Sequence, residues 1–257
     1  MRSTIVRALM MSSNPFFRNL RRFLREEIHV SRQYEIARVH TETFGKYRHC
    51  HMGQDVVVMG TGATLGKYKP IKDAVHIGVN TAYKVDFPLD YLFVCDFDPL
   101  YRTDDFYEGI VNTECKKFFA YWLIHTYSYR GIQKHCSETF ALKCNAERYF
   151  AGENYDLIPV DLRYNPLSSY ASVIFHALQF AIWTCPRKIY LVGCDCSDTG
   201  HFDGDKTTDR VIARHAKSIY YKGYEDFKHF AKHYYPDTEI VSINPVGLKG
   251  LFADSKQ

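Results

Sequence analysis

The sequence predicts an α/β fold: a mostly parallel sheet flanked by helices, with a helical extension in front of it. Three observations predict this. Short apolar runs rich in β-branched residues alternate with amphipathic stretches, the pattern of strands buried on both faces and separated by helices. The first run breaks into a glycine turn, Asp55-Val-Val-Val-Met-Gly-Thr-Gly-Ala-Thr-Leu65. Polar residues stand just past the strand ends: Thr61, Asn80, Asp96, Asp98, Asp195 and Asn244. Together they describe a Rossmann-like sheet, which takes ligands at the carboxyl ends of its strands.

The elements follow in chain order. Asn14-Pro15 is a helix start signal, a capping residue followed by proline at the first helical position. Phe16, Phe17, Leu20, Phe23, Leu24 and Ile28 then recur at helical spacing, and Arg18, Arg21, Arg22 and Arg25 fill the opposite positions. Two readings of this helix stand open. Its apolar face lies on an anionic membrane surface through residues 14–28, or it packs on its own domain with the arginines in water. The polar, His-rich stretch 32–51 reads as a connector. Strands are expected at 55–59, 74–79, 91–95, 116–124, 155–160, 188–193 and 239–243. Helices are expected at 168–183 and 223–234. This divides the chain into an extension at 1–50 and a Rossmann-like domain at 51–257.

Composition sets the outer bounds. With 257 residues, 46% hydrophobic and 24% charged, the chain has the material for a full core. A net charge of +4 is too small to argue for nucleic acid. The eight cysteines lack CxxC spacing and read as small buried residues of a reducing compartment, the cytoplasm. Residues 1–13 are too interrupted for a signal peptide. The 20 tyrosines and 18 phenylalanines suit either stacking on a carbohydrate or an aromatic core.

The glycine turn carries the chemical expectation. Gly60 and Gly62 let the backbone approach a ligand closely. A helix starting after them would present free N–H groups to a phosphate. The alternative is an ordinary tight turn. Asp96-Phe-Asp98 has the Asp-x-Asp form that holds Mg²⁺ or Mn²⁺ against a diphosphate. Its alternative is an acidic turn before Pro99. Asp203, Asp205 and Asp209 read as a solvated loop, placed as a lid. Lys67, Lys69, Lys72, Arg187, Lys188, Arg210 and Arg214 are candidates to offset phosphate charge.

The order of these motifs resembles the bacterial family 42 glycosyltransferases, sialyltransferases of surface oligosaccharides with a GT-A-like core. It also resembles related lipopolysaccharide glycosyltransferases. The resemblance rests on Gly60-Thr-Gly-Ala-Thr-Leu65, Val79-Asn80, the small residues at Ser169 to Ser172, Ile189-Tyr-Leu-Val-Gly-Cys-Asp195, a late histidine and Ile243-Asn-Pro245. It covers roughly residues 55–252 and implies an inverting enzyme that needs no cofactor. The implied donor is a CMP-activated sugar, sialic acid or another 2-keto sugar such as Kdo. The implied acceptor is a surface glycan or glycolipid, reached from the inner face of the cytoplasmic membrane. Gly60, Thr61, Gly62 and Asn80 would touch the nucleotide, Ser169 or Ser172 the sugar, and Asp195 would shape the site. His201 or His215 would be the general base. The rival readings are a Mg²⁺-dependent pyrophosphokinase-like enzyme using Asp96 and Asp98, and an inactive nucleotide-binding subunit. A homo-oligomer is compatible with each.

Overall fold

A computed structural model describes residues 15–97, 102–123, 136–152, 157–197, 200–204 and 216–257. Its strands are β1 Asp55–Met59, β2 Val75–Val79, β3 Tyr91–Val94, β4 Lys116–Leu123 and β5 Glu147–Gly152. They continue with β6 Leu167–Ser168, β7 Lys188–Val192, β8 Glu239–Ile243 and β9 Ala253–Ser255. The helices are α1 Pro15–Phe44, α2 Asp104–Asn112, α3 Glu138–Lys143, α4 Ile174–Trp183 and α5 Tyr221–Tyr234. Among the described residues all nine strands pair in parallel, in the order β6-β5-β4-β3-β2-β1-β7-β8-β9.

That order contains one reversal. The chain builds outward from β1 to β6, then returns to place β7 on the free side of β1. Met59 thus lies between Gly78 of β2 and Val192 of β7. A reversal of this kind opens a crevice at the carboxyl ends of the two strands that flank it.

Alternating side chains of the strands feed two cores. Val56, Val58, Phe93, Phe118 and Tyr149 meet Phe175, Leu178 and Phe180 of α4, Phe227 of α5 and Phe44 of α1. Val57, Met59, Leu92 and Phe119 meet Phe106 and Ile110 of α2 and Ala141 of α3 on the other face. Burial on both faces explains why β1 is apolar at four successive positions instead of alternating.

The expected strands at 55–59 and 239–243 form with those bounds, and four others differ by one residue at an end. Three expectations are corrected. Residues 157–160 of the expected strand 155–160 are not a strand, and 153–156 lie outside the described residues. Pro159 lacks the N–H that a ladder needs. The strand is β5 instead, where Tyr149 and Ala151 are the buried members of a polar-looking segment. The helix expected from 168 begins at Ile174, because Tyr170 and Ala171 take positive φ of 39° and 58° and break it.

The third correction concerns the connector at 32–51, which is helical as far as Phe44. One face of it is buried: His40 and Phe44 are fully inaccessible and Thr43 is 5% exposed, whereas Glu35, Arg38 and Glu42 face outward. The Phe150 N–H donates to His40 Nε2 at 2.7 Å, so Nδ1 carries the proton and donates to Leu162 O at 2.7 Å. Thr43 donates to Arg148 O at 2.8 Å. His40 and Thr43 thus form a hydrogen-bonded seam between α1 and β5.

Candidate functional site

The crevice between β1 and β7 is closed at its base by two turns that touch. Gly60 N–H donates to Val192 O and Gly62 N–H to Gly193 O, both at 2.8 Å. A Cβ on Gly60 would lie 2.5 Å from Gly193 O, and one on Gly62 would lie 2.7 Å from Gly193 O and from the Asp195 carboxyl. Gly193 itself has φ +61°. The two glycines after β1 are therefore required by the turn after β7, whatever else they approach.

The α-helix expected after the turn is a five-residue 3-10 segment, Ala63–Lys67. Two of the N–H groups at its start are already taken, Leu65 N–H by Gly62 O at 3.0 Å and Thr64 N–H by Asp195. Thr64 N–H donates to Asp195 Oδ2 at 3.0 Å, and the Thr64 hydroxyl donates to Asp195 Oδ1. Asp195 is 6% exposed. A carboxylate thus already occupies the anion position at the start of this segment. Each of its oxygens keeps a second lone pair, so the group still accepts from hydroxyls.

His201 joins the same place from a distant part of the chain. Its Nδ1 lies 2.7 Å from Thr61 Oγ1, residue 201 bridges Gly62, and Phe202 N–H donates to Thr61 O at 3.0 Å. Asp203, expected in a solvated loop, is 7% exposed at its side chain and pairs with Lys84 at 2.7 Å. The 200–204 segment is thereby tied down at both ends, to the β1 turn and to the 3-10 segment after β2.

Asn80 completes the group. The register Met59 to Gly78 carries Thr61 and Asn80 out of the sheet side by side. Asn80 takes φ +44°, and its Oδ1 is buried with no hydrogen-bond partner among the described residues. A buried acceptor without a donor is uncommon and marks a place where a ligand N–H or O–H would be accommodated.

The structure thus brings together Gly60, Thr61, Gly62, Asn80, Asp195 and His201. Asp96 stands past β3, one strand further out, with Arg102 at 3.3 Å. Arg102 also lies over the Phe106 ring at 4.6 Å. A divalent cation at Asp96 would have to displace this guanidinium. Among the described residues no group of three or more His, Cys, Asp or Glu is arranged for a metal. Asp98 and His215 lie outside the described residues, as do Asp205, Asp209, Arg210 and Arg214.

Ser169 and Ser172 form a separate turn. Ser172 N–H donates to Ser169 O at 2.7 Å, and the Ser172 hydroxyl faces Ile174 N–H at 3.5 Å. This turn connects to the β7 end through Phe175, whose ring lies 4.8 Å from that of Tyr224, and Tyr224 hydrogen-bonds Cys194. Burial pushes the Cys194 thiol up to about 12 and Cys196 to about 11, so neither is a thiolate near neutral pH. Arg187 and Lys188 sit at the opposite end of the sheet, paired with Asp55 and Glu239.

Sequence reasoning missed Thr64, Lys84 and Arg102. Thr64 stands inside the glycine turn, but its partner is 131 residues away; Lys84 and Arg102 belong to no recognisable spacing. No helix among the described residues is long and apolar enough to cross a membrane. The fold is that of a Rossmann-like α/β protein. No known family model, curated protein or solved structure matches the chain.

Proposed function

We propose that this protein is a glycosyltransferase that takes a sugar from a nucleotide-activated donor, with a CMP-activated sugar favoured. The observation that carries the reading is the Thr61–His201 hydrogen bond at the strand-order reversal. It fixes an imidazole beside the turn where such donors bind. The tautomer in which Nδ1–H donates to Thr61 Oγ1 is the one that leaves the lone pair on Nε2, the form a general base requires, and the reading assigns that tautomer to His201.

The chemistry then runs in one displacement. His201 takes the proton of an acceptor hydroxyl as that oxygen attacks the anomeric carbon. The bond from this carbon to the phosphate oxygen breaks, and the nucleotide phosphate leaves with the electron pair. Asp195 occupies the anion position at the turn, so the donor groups that meet it are hydroxyls of ribose or sugar, not phosphate oxygens. Asn80 Oδ1 accepts one further ligand N–H or O–H. The order of motifs shared with family 42 sialyltransferases supports the choice of CMP. The glycan or glycolipid acceptor follows from the same resemblance.

A thermal-shift screen against CMP, CDP, UDP, GDP, ADP and ATP, with and without Mg²⁺, tests the reading, since a ligand of the native state raises the melting temperature. A rise with CMP that needs no metal is expected, and His201→Asn should keep that rise while abolishing sugar transfer. A rise only with ATP and Mg²⁺ would overturn the proposal in favour of a metal-dependent nucleotide enzyme.

A further inference from the structure

Helix α1 has two ends of opposite character. Among its described side chains the buried ones are Ile36, Val39, His40, Thr43 and Phe44, all within its last nine residues. At the other end Phe16 is 67% exposed and Leu20 is 41% exposed. About 30 Å of helix separates Pro15 from the first of the buried residues. Exposed apolar side chains at one end of a helix whose other end is buried leave a surface that a partner can cover.

Charge indicates what that is. The first 25 residues contain six of the 33 Lys+Arg and none of the 29 Asp+Glu. The rest of the chain therefore carries 27 basic against 29 acidic residues, and the whole positive excess resides in this segment. Over residues 15–28 the sequence sets Phe and Leu at one helical spacing and Arg18, Arg21, Arg22 and Arg25 at the other, with Glu26 and Glu27 at its end, four basic residues against two acidic. Apolar anchors beside arginines fit the boundary between acyl chains and anionic headgroups. The segment lacks the apolar length to cross a bilayer.

We infer that the first turns of α1 are a docking surface for an anionic lipid bilayer, on which the helix lies in the interface plane. The sheet is held to this anchor by the buried seam at the other end of the same helix. His40 bonds Leu162 O and the Phe150 N–H, and Thr43 bonds Arg148 O. The sheet is thus carried at the surface by a continuous helix, not by a loose linker. This inference does not depend on the reaction proposed above.

Flotation of the full chain with phosphatidylcholine vesicles, with and without phosphatidylglycerol, tests it. Binding should require phosphatidylglycerol and should fade as salt rises to about 0.5 M. The double variant R21E/R25E should bind at least about tenfold more weakly, and F16S/L20S should lose binding while its melting temperature stays unchanged. Failure to bind phosphatidylglycerol vesicles would overturn the inference, as would equal binding to both kinds of vesicle. So would a dimer in solution that F16S/L20S converts to monomer while vesicles remain unbound, because the surface would then belong to a second copy of the chain.

Discussion

The β1–β7 crossing and the seam between α1 and β5 both enclose polar groups, but they are held in opposite ways. At the crossing, backbone meets backbone, and the structure depends on side chains that are missing: Gly60, Gly62 and Gly193 leave room for the turns to touch. At the seam a side chain that is present makes the joint. His40, fully buried, uses its two ring nitrogens to satisfy one carbonyl and one N–H. The first arrangement resists pH and tolerates no added atom. The second tolerates shape changes better but fails when its imidazole is charged.

Acid should separate the two regions most strongly. Burial lowers the pKa of His40 to about 4 and that of His176 to about 3, from an ordinary 6.5. The unfolded chain therefore binds protons that the native state refuses. Stability is whole above about pH 6.5 and falls as pH drops, for His40 until about pH 4. At pH 4 each histidine should have cost about 3 kcal/mol. Urea melts across this range check the loss, and His40→Gln should flatten His40's share of the slope.

Gly60→Ala should act at the crossing alone and equally at every pH. Its Cβ has backbone oxygen at 2.5 Å, so a loss of about 3 kcal/mol is expected. Gly204→Ala is the control: it has φ +77° but open space around it, and should cost about 1 kcal/mol. A Gly60→Ala variant as stable as the parent would show that the crossing is not steric in origin.

Asp195→Asn sharpens the picture further. The amide keeps the shape of the cap on Thr64 but not its charge, so about 1 kcal/mol should be lost in a thermal melt. Thr61→Val is the smallest change to stability, within about 1 kcal/mol. It should nevertheless slow sugar transfer about tenfold or more with the donor's KM kept, because the imidazole of His201 loses its orientation. A shift in donor KM with kcat unchanged would place Thr61 in donor binding instead.

Where side-chain pattern and local geometry coincide, the elements were legible. The run Asp55–Met59 is buried on both faces and reads as a strand at once. Elements without an apolar signature were not legible: β6 has two residues, β9 is Ala-Asp-Ser, and β5 hides Tyr149 and Ala151 among charges. The His-rich stretch 32–51 reads as a connector because composition cannot show that His40 has two buried partners more than 100 residues away.

By itself the sequence determined the class of fold, the glycine turn, the polar strand ends and the split of charge between the first 25 residues and the rest. These are local properties, encoded in runs of neighbouring residues. Only the tertiary structure decided that Asp195 takes the N–H and hydroxyl of Thr64 at the turn expected to hold a phosphate, that Thr61 bonds His201, and that Arg102 sits on Asp96. Each of these depends on which strand ends and loops emerge side by side. That is set by the reversal of strand order between β1 and β7 and by the packing of both faces of the sheet, and no run of neighbouring residues records it.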